Sequence, residues 1–160
     1  MLTLKRIAAL GAVLGLLGLA TIALATPPSG QHTTPPIVGT LQPAHRIKAD
    51  GVKFRTRGPV EVSTFTLTLD PGGFTGWHRH PGILFATVQS GAVVRDVGCK
   101  SHTYFAGEVF IEHGNQPTGQ VRNASATAPA AFSVTQLAPP GRPKRTESEP
   151  RNCEHQDDAH

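Results

Sequence analysis

Within Gly72-Gly73-Phe74-Thr75-Gly76-Trp77-His78-Arg79-His80-Pro81-Gly82 lie two histidines placed two residues apart. Side chains alternate faces along an extended segment, so His78 and His80 project to one side and Trp77 and Arg79 to the other. Two imidazoles converging from one strand supply half of a transition-metal site, since imidazole suits Zn, Cu, Fe and Ni. Structural zinc takes four protein ligands and catalytic zinc usually three plus water, so at least one further ligand must come from elsewhere in the chain. Without a metal, such a pair serves as general acid and base, or as a polar lining for a small ligand. No Ser-His-Asp arrangement with a recognisable local signature accompanies it, and Glu61, Asp70, Asp96 and Glu108 read as solvated or turn carboxylates. Trp77, the only tryptophan, and Tyr104, the only tyrosine, read as core packing, with ligand stacking as the alternative.

Short strands must position the pair. Val62 to Leu69 alternates, with Phe65, Leu67 and Leu69 on one face and threonines on the other, which predicts a half-buried strand. Asp70-Pro71-Gly72-Gly73 reads as a turn, and Pro81-Gly82 closes the histidine segment. Further strands are predicted at Ile83–Gln89, Ala92–Val97, His102–Phe105, Val109–Ile111, Val121–Arg122 and Ala131–Leu137, with Ile37–Leu41 and Val52–Phe54 as edge or entry strands. Many short strands at this spacing, with no helical period among them, predict an all-β sandwich or barrel.

The histidine segment resembles the first cupin motif, G-x5-H-x-H-x3/4-E-x6-G. Gly72, His78, His80 and Gly91 fall on it, and Leu84 stands at the glutamate position. Gly107 to Asn123 resembles the second cupin motif, G-x5-P-x-G-x2-H-x3-N, with Gly119 or Thr118 at its histidine position according to the end from which it is counted. The resemblance implies an antiparallel jelly-roll barrel over residues 37–140, with a ligand in its mouth and homodimers as one form. It also implies one divalent transition metal (Mn, Fe, Ni, Cu or Zn) on His78 and His80. Glu112 and His113, where the second motif enters its loop, and then His102, are the candidates for the missing ligand. Three functions stay open because the fold hosts many. They are a small-ligand binding domain, a metal-dependent oxygenase or isomerase with a non-standard third ligand, and a non-catalytic envelope protein.

Length and composition bound the rest. The 160 residues make one domain, and 17 Gly and 14 Pro with only 16% charged residues suit a turn-rich β protein. The formal net charge of +4 falls to +2 once Lys5 and Arg6 are set aside, too weak a field to argue for nucleic acid. Lys5-Arg6, the uncharged run Ile7 to Leu24 and Ala23-Leu24-Ala25 give residues 1–25 the form of a hydrophobic leader helix. It is read as a signal peptide or, uncleaved, as a membrane anchor, and both readings export the domain to the envelope, periplasm or exterior. Residues 26–36, with four prolines, are expected to be a linker, and residues 141–160 an irregular tail. Cys99 and Cys153 are the only cysteines, and export permits a bridge between them, with two free thiols as the alternative. Asn123-Ala124-Ser125 matches a glycosylation sequon, a short pattern frequent by chance.

Overall fold

The computed structural model describes residues 26–150 and Cys153, so the leader lies outside the described residues. The described chain is all strand and loop. The strands are β1 (Ser29–Thr33), β2 (Ile37–Leu41), β3 (Arg46–Ala49), β4 (Val52–Arg55), β5 (Val60–Phe74), β6 (His78–Arg79) and β7 (Ile83–Ser90), followed by β8 (Ala92–Val97), β9 (Lys100–Phe105), β10 (Val109–His113), β11 (Gly119–Asn123), β12 (Ala130–Ala138) and β13 (Thr146–Glu147). Eleven of them form one antiparallel sheet along β10-β7-β12-β5-β11-β6-β13, with β1 and β2 joined to β5 and β8 joining β11 to β9. The sheet curls into a nearly closed jelly-roll barrel. The β3–β4 hairpin stands apart as its own sheet.

Alternation sets the interior. β12 buries every second residue, placing Ala130, Phe132, Val134, Gln136 and Ala138 inward. β5 contributes Leu67 and Leu69, β7 Leu84, Ala86 and Val88, β8 Val93, β10 Phe110 and β11 Val121. Phe65 and Tyr104 pack against this cluster.

Three local expectations change. Asp70–Gly73 does not end its strand: β5 runs through to Phe74, and the pairing with β1 shifts register there, from Gln31 opposite Leu69 to Ser29 opposite Phe74. Gly72 adopts a φ of 70°, and a Cβ on Gly73 would lie 2.8 Å from the Gly30 carbonyl, so glycine is needed for this kink. Residues 29–33, inside the expected linker, form β1 on the edge of β5. The tail is likewise anchored, since β13 pairs with β6 and Cys153 is bridged to Cys99. Backbone groups in both segments find partners on barrel edges that would otherwise be open.

Candidate metal and ligand site

β6 holds His78, with His80 directly after its end, and both its edges are covered: Gly119 of β11 pairs with His78 on one side, and Thr146 and Glu147 of β13 pair with Arg79 and His78 on the other. His78 is buried at 6% exposure and His80 is half-buried, with ring centroids 4.7 Å apart at right angles. Each ring is held through Nδ1, His78 by the Gly76 carbonyl at 2.8 Å and His80 by the Lys144 carbonyl at 2.7 Å. A carbonyl oxygen only accepts, so each Nδ1 carries the proton and each Nε2 is left as a lone pair.

Those lone pairs face a carboxylate. Glu112 of β10 lies directly opposite Leu84 of β7, and residues paired in this way share a face of the sheet. Leu84 points inward, so Glu112 does too, and its Oε2 lies 3.5 Å from His80 Nε2 and 4.0 Å from His78 Nε2. The carboxylate missing at Leu84 is thus supplied by the neighbouring strand. One ligand atom from each of His78, His80 and Glu112 fits within a mutual distance of 4.8 Å. Arg95 donates through Nε to Glu112 Oε1 at 3.2 Å and through Nη2 to Gln116 at 2.9 Å, which fixes the carboxylate and leaves Oε2 toward the histidines.

Electrostatics keep the imidazoles neutral. Burial, then the charges of Arg145 and His80, push His78 down to about 4, against the opposing pull of Glu112 and the Gly76 carbonyl. Burial lowers His80 as well. At neutral pH the contacts with Glu112 are therefore acceptor facing acceptor, not ion pairs. Such a set is satisfied by a cation or a donor placed between them.

A pH dependence follows for the metal-free protein. The folded value of His78 lies below the unfolded one near 6.5, so between those limits the unfolded chain binds more protons. Stability is expected to be complete above about pH 6.5 and to fall by on the order of 3 kcal/mol as pH drops toward 4. Urea unfolding at pH 7 and 4.5, compared with His78→Gln, measures it. Equal losses in the two proteins would remove His78 as the cause.

Above the triad a cavity of about 230 Å³ opens. Phe65, Leu67, Leu84, Phe110, Phe132 and Val134 wall it with apolar surface, and Gln136, Lys144 and Arg145 add polar groups. Lys144 and Arg145 come from the tail, a strap across the barrel mouth. The Lys144 carbonyl accepts hydrogen bonds from His80 Nδ1 and Gln136 Nε2, Lys144 Nζ pairs with Glu61, and Arg145 donates to the Thr75 carbonyl. Ser148 N–H donates to the Trp77 carbonyl, and the Cys99–Cys153 disulfide ties the far end down.

The other sequence candidates fall elsewhere. His113 is exposed and follows Glu112 on β10, so alternation turns it to the opposite face. His102 meets Tyr104 edge-on at 4.6 Å, and Tyr104 meets Phe110 at a tilt at 5.1 Å, so this aromatic chain serves packing. Trp77 is half-buried and, like Tyr104, does not line the cavity. Gly119 does lie opposite His78, but a Cβ there would meet the Asp96 carbonyl at 2.9 Å, so a histidine has no room without a backbone shift. Asn123 is buried, and its Nδ2 donates to the carbonyls of Leu69, Asp70 and Ala128, which leaves it no role as a sequon. No motif marks Arg95, yet it shares the inward face of β8 with Val93, where a charge signals a partner.

A model of the cupin domain family matches residues 65–135, the stretch from β5 to β12 that builds most of the barrel. That stretch matches a cupin domain, in keeping with the jelly-roll barrel it forms. Among solved structures it is similar to an oxalate oxidase, with 22% identity over 46% of this chain and 40% of that one and a TM-score of 0.41. It is also similar to a sugar phosphate isomerase of the cupin superfamily from Silicibacter pomeroyi, with 24% identity, coverage of 54% and 56% and a TM-score of 0.46. A cupin-like protein from Thermotoga maritima has 17% identity, coverage of 58% and 78% and a TM-score of 0.47. The chain spans about half the length of the first two. Likenesses at this level say nothing of activity. No curated protein matches the sequence significantly.

Proposed function

We propose that this cupin is exported, holds one divalent transition metal on His78, His80 and Glu112, and admits a small organic ligand to the cavity above it. The carrying observation is the convergence of two Nε2 lone pairs on the free oxygen of Glu112. Two imidazoles and one carboxylate suit Zn or Fe and leave coordination positions for a ligand or water. The backbone carbonyls at both Nδ1 atoms are the outer partners that metal-binding histidines commonly have. Bound there, a metal would supply Lewis-acid or redox chemistry to a ligand oxygen. The chain's own part is to exclude water with the apolar wall, orient the ligand through Gln136 and Arg145, and hold Glu112 through Arg95. The disulfide supports the exported reading, because such bonds persist in oxidising compartments.

Elemental analysis of protein purified without a polyhistidine tag tests this, beside a His78→Ala/His80→Ala variant. Near one equivalent of Mn, Fe, Ni, Cu or Zn, lost in the variant, is the expected result. Absence of metal in both, even after incubation with each ion, would sink the metal and favour a metal-free ligand binder. The positive charge of Arg95 and Arg145 beside the triad is the feature that favours that second reading.

A further inference from the structure

Arg46 to Arg55 form a hairpin outside the barrel sheet, turned by Asp50 and Gly51 at φ values of 47° and 84°. Its register places Arg46 opposite Arg55 and Lys48 opposite Lys53, so four cations share one face. Like charges set directly across a ladder destabilise it, and a lone two-stranded hairpin is marginal to begin with. Among the described residues none of these four makes an ion pair. The reverse face carries Ile47, Ala49, Val52 and Phe54, with Ile47 51% and Val52 67% exposed. Residues 45–57 thus concentrate five of the fifteen Lys and Arg residues, counting Arg57, against the single carboxylate of Asp50.

We propose that this hairpin docks the protein on an anionic phospholipid surface. Four unpaired cations on one face match a polyanion in charge. A soluble polyanion would leave Ile47 and Val52 in water, whereas a bilayer interface offers phosphates and acyl boundary within one shallow layer. Laid with Ile47, Val52 and Phe54 toward the acyl chains, the hairpin keeps its Lys and Arg heads among the phosphates by snorkelling of their long stems. No residue of the metal and ligand site takes part, so the docking stands or falls separately from it.

The test is partitioning of the full chain onto vesicles of phosphatidylcholine alone and of an equal mixture with phosphatidylglycerol. Arg46→Gln/Lys48→Gln/Lys53→Gln/Arg55→Gln is expected to lower partitioning onto the mixed vesicles by about a hundredfold or more and to leave the neutral vesicles unaffected. Any affinity contributed by residues 1–25 is common to both proteins and cancels. Val52→Trp, which keeps all four cations, is expected to give a blue-shifted emission component on the mixed vesicles over the constant background of Trp77. Equal partitioning of parent and four-glutamine variant overturns the proposal. An unshifted Val52→Trp emission overturns it too, and tight binding of soluble polyphosphate would then assign the cations to a soluble polyanion.

Discussion

Glu112→Ala is expected to lose metal binding by more than a hundredfold and, in the metal-free protein, to lose about 3 kcal/mol of stability. The two losses have different causes. The first removes the only carboxylate in the triad. The second arises because Arg95 is only 11% exposed at its side chain and would keep its charge with its ion-pair partner gone. Glu112→Gln separates them. Its amide oxygen still accepts from Arg95 Nε, so most of the stability should remain, while a neutral amide is a poor metal ligand and the affinity should still fall. Calorimetric titration with Zn or Ni and urea unfolding read the two quantities independently. Unchanged metal affinity in Glu112→Gln would remove Glu112 from the site. In Glu112→Ala/Arg95→Ala much of the lost stability is expected to return, because no uncompensated charge is left, although Arg95 also stacks over Phe110 at 5.5 Å and that contact would be lost.

The second large effect is expected from Cys99→Ser/Cys153→Ser or from reduction with a dithiol. The disulfide closes a loop of 54 residues, for which the chain-entropy model gives about 4 kcal/mol. The consequence reaches the site because the segment that the bridge tethers carries Lys144, whose carbonyl orients His80. Once the strap frays, His80 is free to rotate or change tautomer, and metal affinity is expected to drop by about 10–100-fold. Limited proteolysis after Lys144 or Arg145 and the emission of Trp77, whose carbonyl receives Ser148 N–H, report the fraying directly. Unaltered protease resistance with weakened metal binding would show that the strap stays docked through β13 and the Lys144–Glu61 pair, and that the disulfide acts by another route.

Much of the barrel was legible because strand alternation is a local property. Phe65, Leu67 and Leu69 announce an inward face without reference to any other segment, and His78-Arg79-His80 announces two imidazoles on one side. The resemblance to cupins then selected the jelly roll from the open all-β options. The Cys99–Cys153 bridge, left open with two free thiols, is formed. Asp70–Gly73 misled because the same residues that make a turn also make a bulge, and only the partner strand β1 decides between them.

The completed site was less legible, for a physical reason. Read along the chain, Leu84 is an apolar residue where a metal-binding carboxylate is expected, and Glu112 and His113 are neighbours of equal standing. The register between β7 and β10 sets Glu112 opposite Leu84 and turns it inward, while alternation turns His113 out. That register is a long-range pairing, set by packing of both strands in the barrel, and no local pattern carries it. The same holds for the tail. Lys144 and Arg145 sit in a segment with no periodicity, and they reach the histidines only because β13 finds the open edge of β6 and Cys153 finds Cys99. Local chemistry therefore named the strands and the two imidazoles of the candidate site, whereas its carboxylate and the strap that orients one imidazole are products of tertiary pairing.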